Sequence, residues 1–212
     1  MPTPRKQLVS LIDTPWYHLV SKCVRRAWLF GVDPYNGKDY SHRRQWIVDR
    51  MDCLTDAFAI DVASYAIMSN HFHLVVRVDA EKAQRWSWQE TVSRWHHIYQ
   101  GNMLSQRFLR GEILSTGERK VLQRKAEIWR SRLSDISWFM SALNEHIARR
   151  ANAEDDVSGK FWQSRFFSQA LLDEQAILAC SVYCDLNPIR ANIADTPEAS
   201  KYTSIRQRIK VA

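Results

Sequence analysis

Residues 71–78, His-Phe-His-Leu-Val-Val-Arg-Val, constrain the fold more than any other stretch of this chain. A run of branched and aromatic side chains suits a strand buried in a sheet. The Ser69-Asn70 turn before it, and the apolar run from Ala59 to Met68 before that, predict a hairpin. Side chains alternate along a strand, so His71 and His73 project from one face while Phe72 and Leu74 project from the other. Two imidazoles on one rigid face make half of a metal site. The same spacing also suits histidines on a solvated face or satisfied structural groups, and the rest of the chain has to separate these readings.

Residues 1–15 read as an exposed arm, and Trp16 to Val24 alternates well enough for a first strand, followed by Arg25 and Arg26. Gly31, Pro34 and Gly37 mark a loop. A helix is predicted from an N-cap near Ser41, with Trp46, Ile47, Met51, Leu54 and Phe58 on one apolar face. Strand, helix and hairpin make half of a split βαβ sandwich. From about residue 79 to 130 the pattern breaks into helical pieces with a polar bend at Gly111 to Gly117, which reads as an insertion and a candidate nucleic-acid contact region. Ile136, Phe139, Met140, Leu143 and Ile147 restore the helical period, with Arg149 and Arg150 placed in the last turn. Asn152 to Gly159 reads as a polar loop and Phe161 to Leu172 as a fourth strand. Asp173 is placed as N-cap of a final helix through Ala176, Ile177, Cys180 and Tyr183. The basic tail from about 195 to 212 is expected to be partly mobile.

With 212 residues, 45% of them hydrophobic, the chain suits a single domain that buries a core without staples. The four cysteines, Cys23, Cys53, Cys180 and Cys184, contain no CxxC pair, which favours a reducing compartment. The spacing of Cys180 and Cys184 suits one helix face better than a zinc knuckle. Neither a leader's apolar core nor a membrane-spanning run is present, so a soluble, cytoplasmic protein is expected. The net charge of +7, with basic residues set among aromatics at Arg85-Trp86, Arg94-Trp95, Trp129-Arg130 and Trp162 to Phe167, suits a nucleic-acid surface, single strands above all. The nine tryptophans equally suit a core.

A second informative stretch runs from Ser181 to Asn192. In an unbroken helix Tyr183 and Asn187 are i, i+4 neighbours, and a phenol and an amide oxygen reach one centre. Pro188 leaves two readings open: the helix kinks there, or it restarts with Asn187 as N-cap and Pro188 at the first position. Tyr183 is then either a reactive phenol or a core aromatic.

Three motifs in this order, Asn70-His71-Phe72-His73, Gly159-Lys160-Phe161-Trp162-Gln163-Ser164-Arg165-Phe166, and Tyr183 with Leu186-Asn187-Pro188-Ile189-Arg190-Ala191, resemble the single-tyrosine HUH transposases of the IS200/IS605 type. The likeness is nearest to their REP-associated tyrosine transposase relatives. It spans Trp16 to Asn192 and leaves out the 79–130 insertion. It implies an α+β fold: a ferredoxin-like βαββαβ sandwich, an antiparallel sheet with helices on one face, a helical insertion and a C-terminal nucleophile helix. It also implies that Tyr183 is the nucleophile and that His71, His73 and Asn187 hold Mg²⁺ or Mn²⁺. Single-stranded DNA with imperfect hairpins would be cleaved to a 5′-phosphotyrosine and a free 3′-OH and then rejoined. Arg25, Arg26, Trp162, Gln163, Arg165 and Arg190 are the DNA-contact candidates, and a monomer is favoured over a homodimer. The rival reading is a catalytically silent regulator that binds hairpins. A zinc hydrolase would need a carboxylate base, and Asp185 is expected on another helix face from Tyr183.

Overall fold

The structure is a computed structural model and describes residues 9–24, 30–34 and 37–211. In chain order the described elements are β1 (Trp16–Lys22), α1 (Arg43–Ala57), β2 (Ile60–Ile67), β3 (His71–Val78), α2 (Ala80–Arg85), α3 (Trp88–His96) and α4 (Met103–Leu109). There follow α5 (Thr116–Arg132), α6 (Ile136–Glu154), β4 (Phe167–Ala170), α7 (Glu174–Arg190) and α8 (Ser204–Val211). The strands form one sheet in the order β2-β3-β1-β4, with β1 antiparallel to both β3 and β4. This is the strand order of a ferredoxin-like sandwich, and the α+β class is as the sequence predicts.

The chain divides into two compact units, one made of residues 1–50, 62–77 and 143–212, the other of 51–61 and 78–142. The first contains most of the sheet. Its register pairs Leu19 with Leu74 and Ser21 with Phe72, and sets Val20 opposite His73 and Lys22 opposite His71. One face therefore carries Tyr17, Leu19, Phe72, Leu74 and Val76, all fully buried. Each such leucine or phenylalanine contributes about 1.5–3 kcal/mol of burial free energy. Asn144 of α6 donates to Ser21 Oγ from this side at 2.9 Å. The ring of Trp162 also stands edge-on to Phe72, 5.6 Å between centroids. The opposite face carries the histidines and is covered by α7, whose Cys184 packs with Val75 and Leu171.

At the start of α1 the guanidinium of Arg43 is wholly buried. It donates to Glu154 at 2.6 Å and Asp155 at 2.5 Å and lies 4.2 Å from the Tyr40 ring centroid. A buried cation needs such partners, because an uncompensated charge in the interior costs several kcal/mol.

The second unit is helical and built around aromatics. Trp95 stacks on Trp129 at 5.0 Å and on Tyr99 at 4.4 Å, and Phe58 meets Phe139 edge-on at 5.4 Å. Trp86, Trp95 and Trp129 are each at least 95% buried, so the aromatics beside Arg85, Arg94 and Arg130 are core here, not a base-stacking surface. Their arginines brace the unit from within: Arg94 lies over Trp86, and Arg130 donates to the Trp86 carbonyl. Ser115 and Glu118 cap α5 reciprocally.

Several boundaries differ from the sequence reading. Of the expected arm, residues 1–8 lie outside the described residues, and 11–13 are exposed but anchored on either side: Thr14 is buried and donates to the Leu171 carbonyl at 2.7 Å, while Ser10 bonds the Tyr17 hydroxyl. The expected fourth strand shrinks to Phe167–Ala170 because Phe161 and Trp162 turn inward to pack on Phe30. α6 runs on to Glu154, since that carboxylate completes the shell of Arg43, and Arg149 and Arg150 fall short of its last turn. The tail is folded, with Ser200, Thr203 and Ser204 buried and α8 closing the chain.

Candidate functional site

α7 begins where the sequence predicts, with Asp173 accepting from the Ala176 amide at 2.7 Å. It continues unbroken through Pro188 to Arg190. Pro188 has no N–H for the Cys184 carbonyl, yet the helix does not restart, and Asn187 is buried within it and not exposed as a cap. Asn192 ends the helix in the left-handed region at φ 52°, and Ile193 donates back to the Pro188 carbonyl at 2.8 Å. Tyr183 and Asn187 thus lie one turn apart on the helix that covers the histidine face.

β3 brings His71 and His73 to that face with rings 4.9 Å apart. The Tyr183 ring stands edge-on to His73 at 5.5 Å and remains 39% exposed. Above it the Arg190 guanidinium carbon lies 5.5 Å from the phenol centroid. The structure therefore brings His71, His73, Tyr183 and Arg190 together, with Asn187 one turn beyond Tyr183 on the same helix.

His18 joins them, a residue the sequence reading did not single out. It projects from β1 on the same face, and its Nε2 lies 3.0 Å from His73 Nδ1, the rings stacked at 5.2 Å. The contact is a diagonal cross-strand pair, legible only once the β1–β3 register is known. Lys22, opposite His71, is a second cation of the rim that sequence reasoning passed over. Cys180 and Cys184, read in the sequence only as sharing a helix face, converge here: with a nitrogen of His18, their sulfurs form a group whose donor atoms all lie within 4.8 Å of one another. The Cys180 thiol is drawn down to about 5 by its hydrogen bonds with Cys184 and then His18, while that bond and burial push Cys184 up.

The hydrogen bonds set the tautomers. His71 Nδ1 lies 2.7 Å from Asn70 Oδ1; with the Asn70 amide so oriented, the proton sits on Nδ1 and Nε2 keeps its lone pair. Burial, and then Lys22, lower the His71 pKa. His73 is held down to about 3 by burial and then by the two neighbouring histidines. Both rings are accordingly neutral at pH 7, the state a metal ligand needs.

Among the described residues, the polar atoms buried with no partner include His73 Nε2 and, on α7, the Asn187 side-chain Nδ2. Leaving such groups unpaired costs about 1–3 kcal/mol each. A half-turn of the Asn187 amide presents its oxygen in place of that nitrogen, and chemically an amide oxygen with two neutral imidazoles is a donor set of the kind that suits a hard divalent ion.

Other candidates fare differently. Arg25 and Arg26 lie outside the described residues. Gln163 and Arg165 are exposed on the loop before β4, where the Gln163 amide bonds the Lys22 carbonyl at 2.8 Å. Trp162 is a packing residue: its indole N–H donates to the Asn144 carbonyl at 2.9 Å amid Phe30, Phe72 and Phe161. Asp185 faces away from Tyr183, buried and bound by Ser204 and Arg208, so it is spent as a structural acceptor and unsuited as a base for hydrolysis.

Among the described residues no helix is long and apolar enough to cross a membrane. No protein-family model matches the sequence, and no curated protein matches it. Among solved structures, that of a REP-associated tyrosine transposase bound to a REP hairpin is similar, with TM-score 0.52 at 10% identity, covering 99% of this chain and 86% of that one. The chain thus shares its fold with that solved transposase: a four-stranded antiparallel sheet packed with helices.

Proposed function

We propose that this chain is a metal-dependent DNA strand transferase that cleaves and rejoins hairpin-containing single-stranded DNA through a 5′-phosphotyrosine. The observation that carries this reading is the half-exposed phenol of Tyr183, on the same helix as the buried, unpartnered Asn187 Nδ2, set against His73, whose buried Nε2 has no partner among the described residues. The shared fold of a transposase whose structure holds a REP hairpin supports the choice of partner.

His71, His73 and Asn187 would hold Mg²⁺ or Mn²⁺. When bound, such an ion supplies charge stabilisation to a phosphate oxygen. The protein's own groups do the rest. Asn70 and His18 orient the two imidazoles through their Nδ1 atoms, as outer partners of metal-ligating histidines do. α7 holds the Tyr183 hydroxyl over the site, and Arg190 and Lys22 offer positive charge to the DNA backbone. Tyr183 Oη bonds to phosphorus while the bond to the 3′-oxygen breaks; the phenol proton is lost and the leaving oxygen takes one up. Because the phosphodiester is exchanged and not hydrolysed, the reverse attack by a 3′-OH rejoins strands without ATP. Gln163 and Arg165, exposed on the loop before β4, would contact the DNA.

The test is an adduct assay. Labelled hairpin oligonucleotides from the genomic neighbourhood are incubated with the protein and Mn²⁺ or Mg²⁺, with a chelator control, and run under denaturing conditions. A metal-dependent adduct is expected, lost in Tyr183→Phe while hairpin binding persists. Tight hairpin binding with no adduct under either metal would make the chain a hairpin-binding regulator.

A further inference from the structure

His18 belongs to two groups at once. One of its nitrogens engages His73, and the ring also lies against Cys180 and Cys184, which sit one turn apart on α7. With every donor pair inside 4.8 Å, a closure of about 1 Å brings one nitrogen and two sulfurs to the edges of a tetrahedron with Zn–S bonds of about 2.3 Å. The chemistry of this trio differs from that of the neighbouring centre. Two thiolates and an imidazole are a soft set that selects Zn²⁺-like ions, whereas the His71, His73 and Asn187 donors suit a hard cation. Cys184 is fully buried, while Cys180 and His18 are only half-buried, which gives an ion a route in and leaves a fourth position for water. Packing accounts for Cys184, which fills the space between Val75 and Leu171, and for Cys180 against the same cluster, but not for the His18 imidazole converging on both thiols.

We propose that His18, Cys180 and Cys184 form a second, zinc-class site that controls the first. The control follows from the hydrogen bond the two sites share, and that part rests on the reading of His73 as a ligand. With Nε2 of His18 facing His73 Nδ1, Nδ1 of His18 is the nitrogen left for zinc. Zinc there leaves the His18 proton on Nε2, which donates to His73 Nδ1; the neutral His73 ring then carries its own proton on Nε2 and has no lone pair for a metal. In the opposite arrangement His73 Nδ1–H donates, Nε2 is free to ligate, and His18 keeps its proton on Nδ1. One neutral pair cannot serve both ions, so occupation of the thiol site closes the histidine site.

The full-length protein, reduced and stripped with chelator, is titrated with Co²⁺ as a spectroscopic substitute for Zn²⁺. One equivalent should bring thiolate-to-cobalt charge transfer and the intense d–d bands of tetrahedral coordination, both removed by Zn²⁺. Cys180→Ser should abolish them with an unchanged near-ultraviolet circular dichroism spectrum. Asn187→Ala should keep them. Absence of thiolate bands, or bands that persist in both Cys180→Ser and Cys184→Ala, overturns the site. Coupling is read from free Mn²⁺ by electron paramagnetic resonance: one equivalent of Zn²⁺ should weaken Mn²⁺ binding about tenfold or more in the wild type and not in Cys180→Ser. Equal weakening in both would mean direct competition and would refute the coupling. Mn²⁺ that fails to bind even without Zn²⁺ would overturn the transferase reading and the coupling together, while the cobalt spectrum still decides the thiol site.

Discussion

Acid should loosen this fold through His73 in particular. Its ring is 6% exposed, and burial together with the adjacent His71 and His18 rings holds its pKa at about 3 against an ordinary 6.5. The unfolded chain therefore takes up a proton that the folded chain refuses. The contribution of neutral His73 to stability is complete above about pH 6.5 and is lost progressively as pH falls toward about 3. Integrated from about pH 7.5 down to about pH 5, the linkage amounts to about 2 kcal/mol. Urea denaturation in the presence of chelator, at both pH values, on wild type and His73→Gln measures it. The wild type should lose about 2 kcal/mol more than the variant over this window. Equal losses in the two proteins would show that His73 is not buried neutral, and with that the case for its vacant Nε2 as a metal donor would fail.

Three further perturbations separate packing from function. Trp162→Phe removes the indole bond to Asn144 and some core volume, and should cost about 1–3 kcal/mol by thermal unfolding while leaving hairpin affinity unchanged. Ser204→Ala strips hydrogen bonds from Asp185, Ser64 and the Tyr65 amide in one step and should cost about 1–3 kcal/mol, read by calorimetry. Glu154→Gln leaves the wholly buried Arg43 with Asp155 as its remaining charged partner among the described residues and should destabilise by about 3 kcal/mol in urea.

What was legible in the sequence was local. The period-two run placed His71 and His73 on one face, and the Asp173 cap and i, i+4 spacing placed Tyr183 and Asn187 on one helix, because these are properties of neighbouring residues. The Pro188 question stayed open in the sequence because a kink and a restart use the same residues. Burial of Asn187 inside a continuous α7 decides it. His18 was invisible because it stands 55 residues from its partner, and only the register between β1 and β3 brings the two together. The aromatic and basic interleaving misled for a related reason: stacking platforms and cores draw on the same side chains, and Trp95 and Trp129 turn inward. The folded tail is hard to read because what holds it, Ser204 and Arg208 on Asp185, is polar, and its one short helix offers little beyond Ile205 and Ile209 at helical spacing.

The central claim is that Tyr183 takes the phosphate of a cleaved strand. The most direct measurement is mass spectrometry of the protein after incubation with a hairpin oligonucleotide and Mn²⁺, followed by nuclease and protease digestion. The account predicts a deoxynucleotide 5′-phosphate on the peptide containing Tyr183, absent with chelator and absent in His73→Gln. A nucleotide on any other residue, or an unmodified Tyr183 peptide from protein that demonstrably binds the hairpin and Mn²⁺, would contradict it.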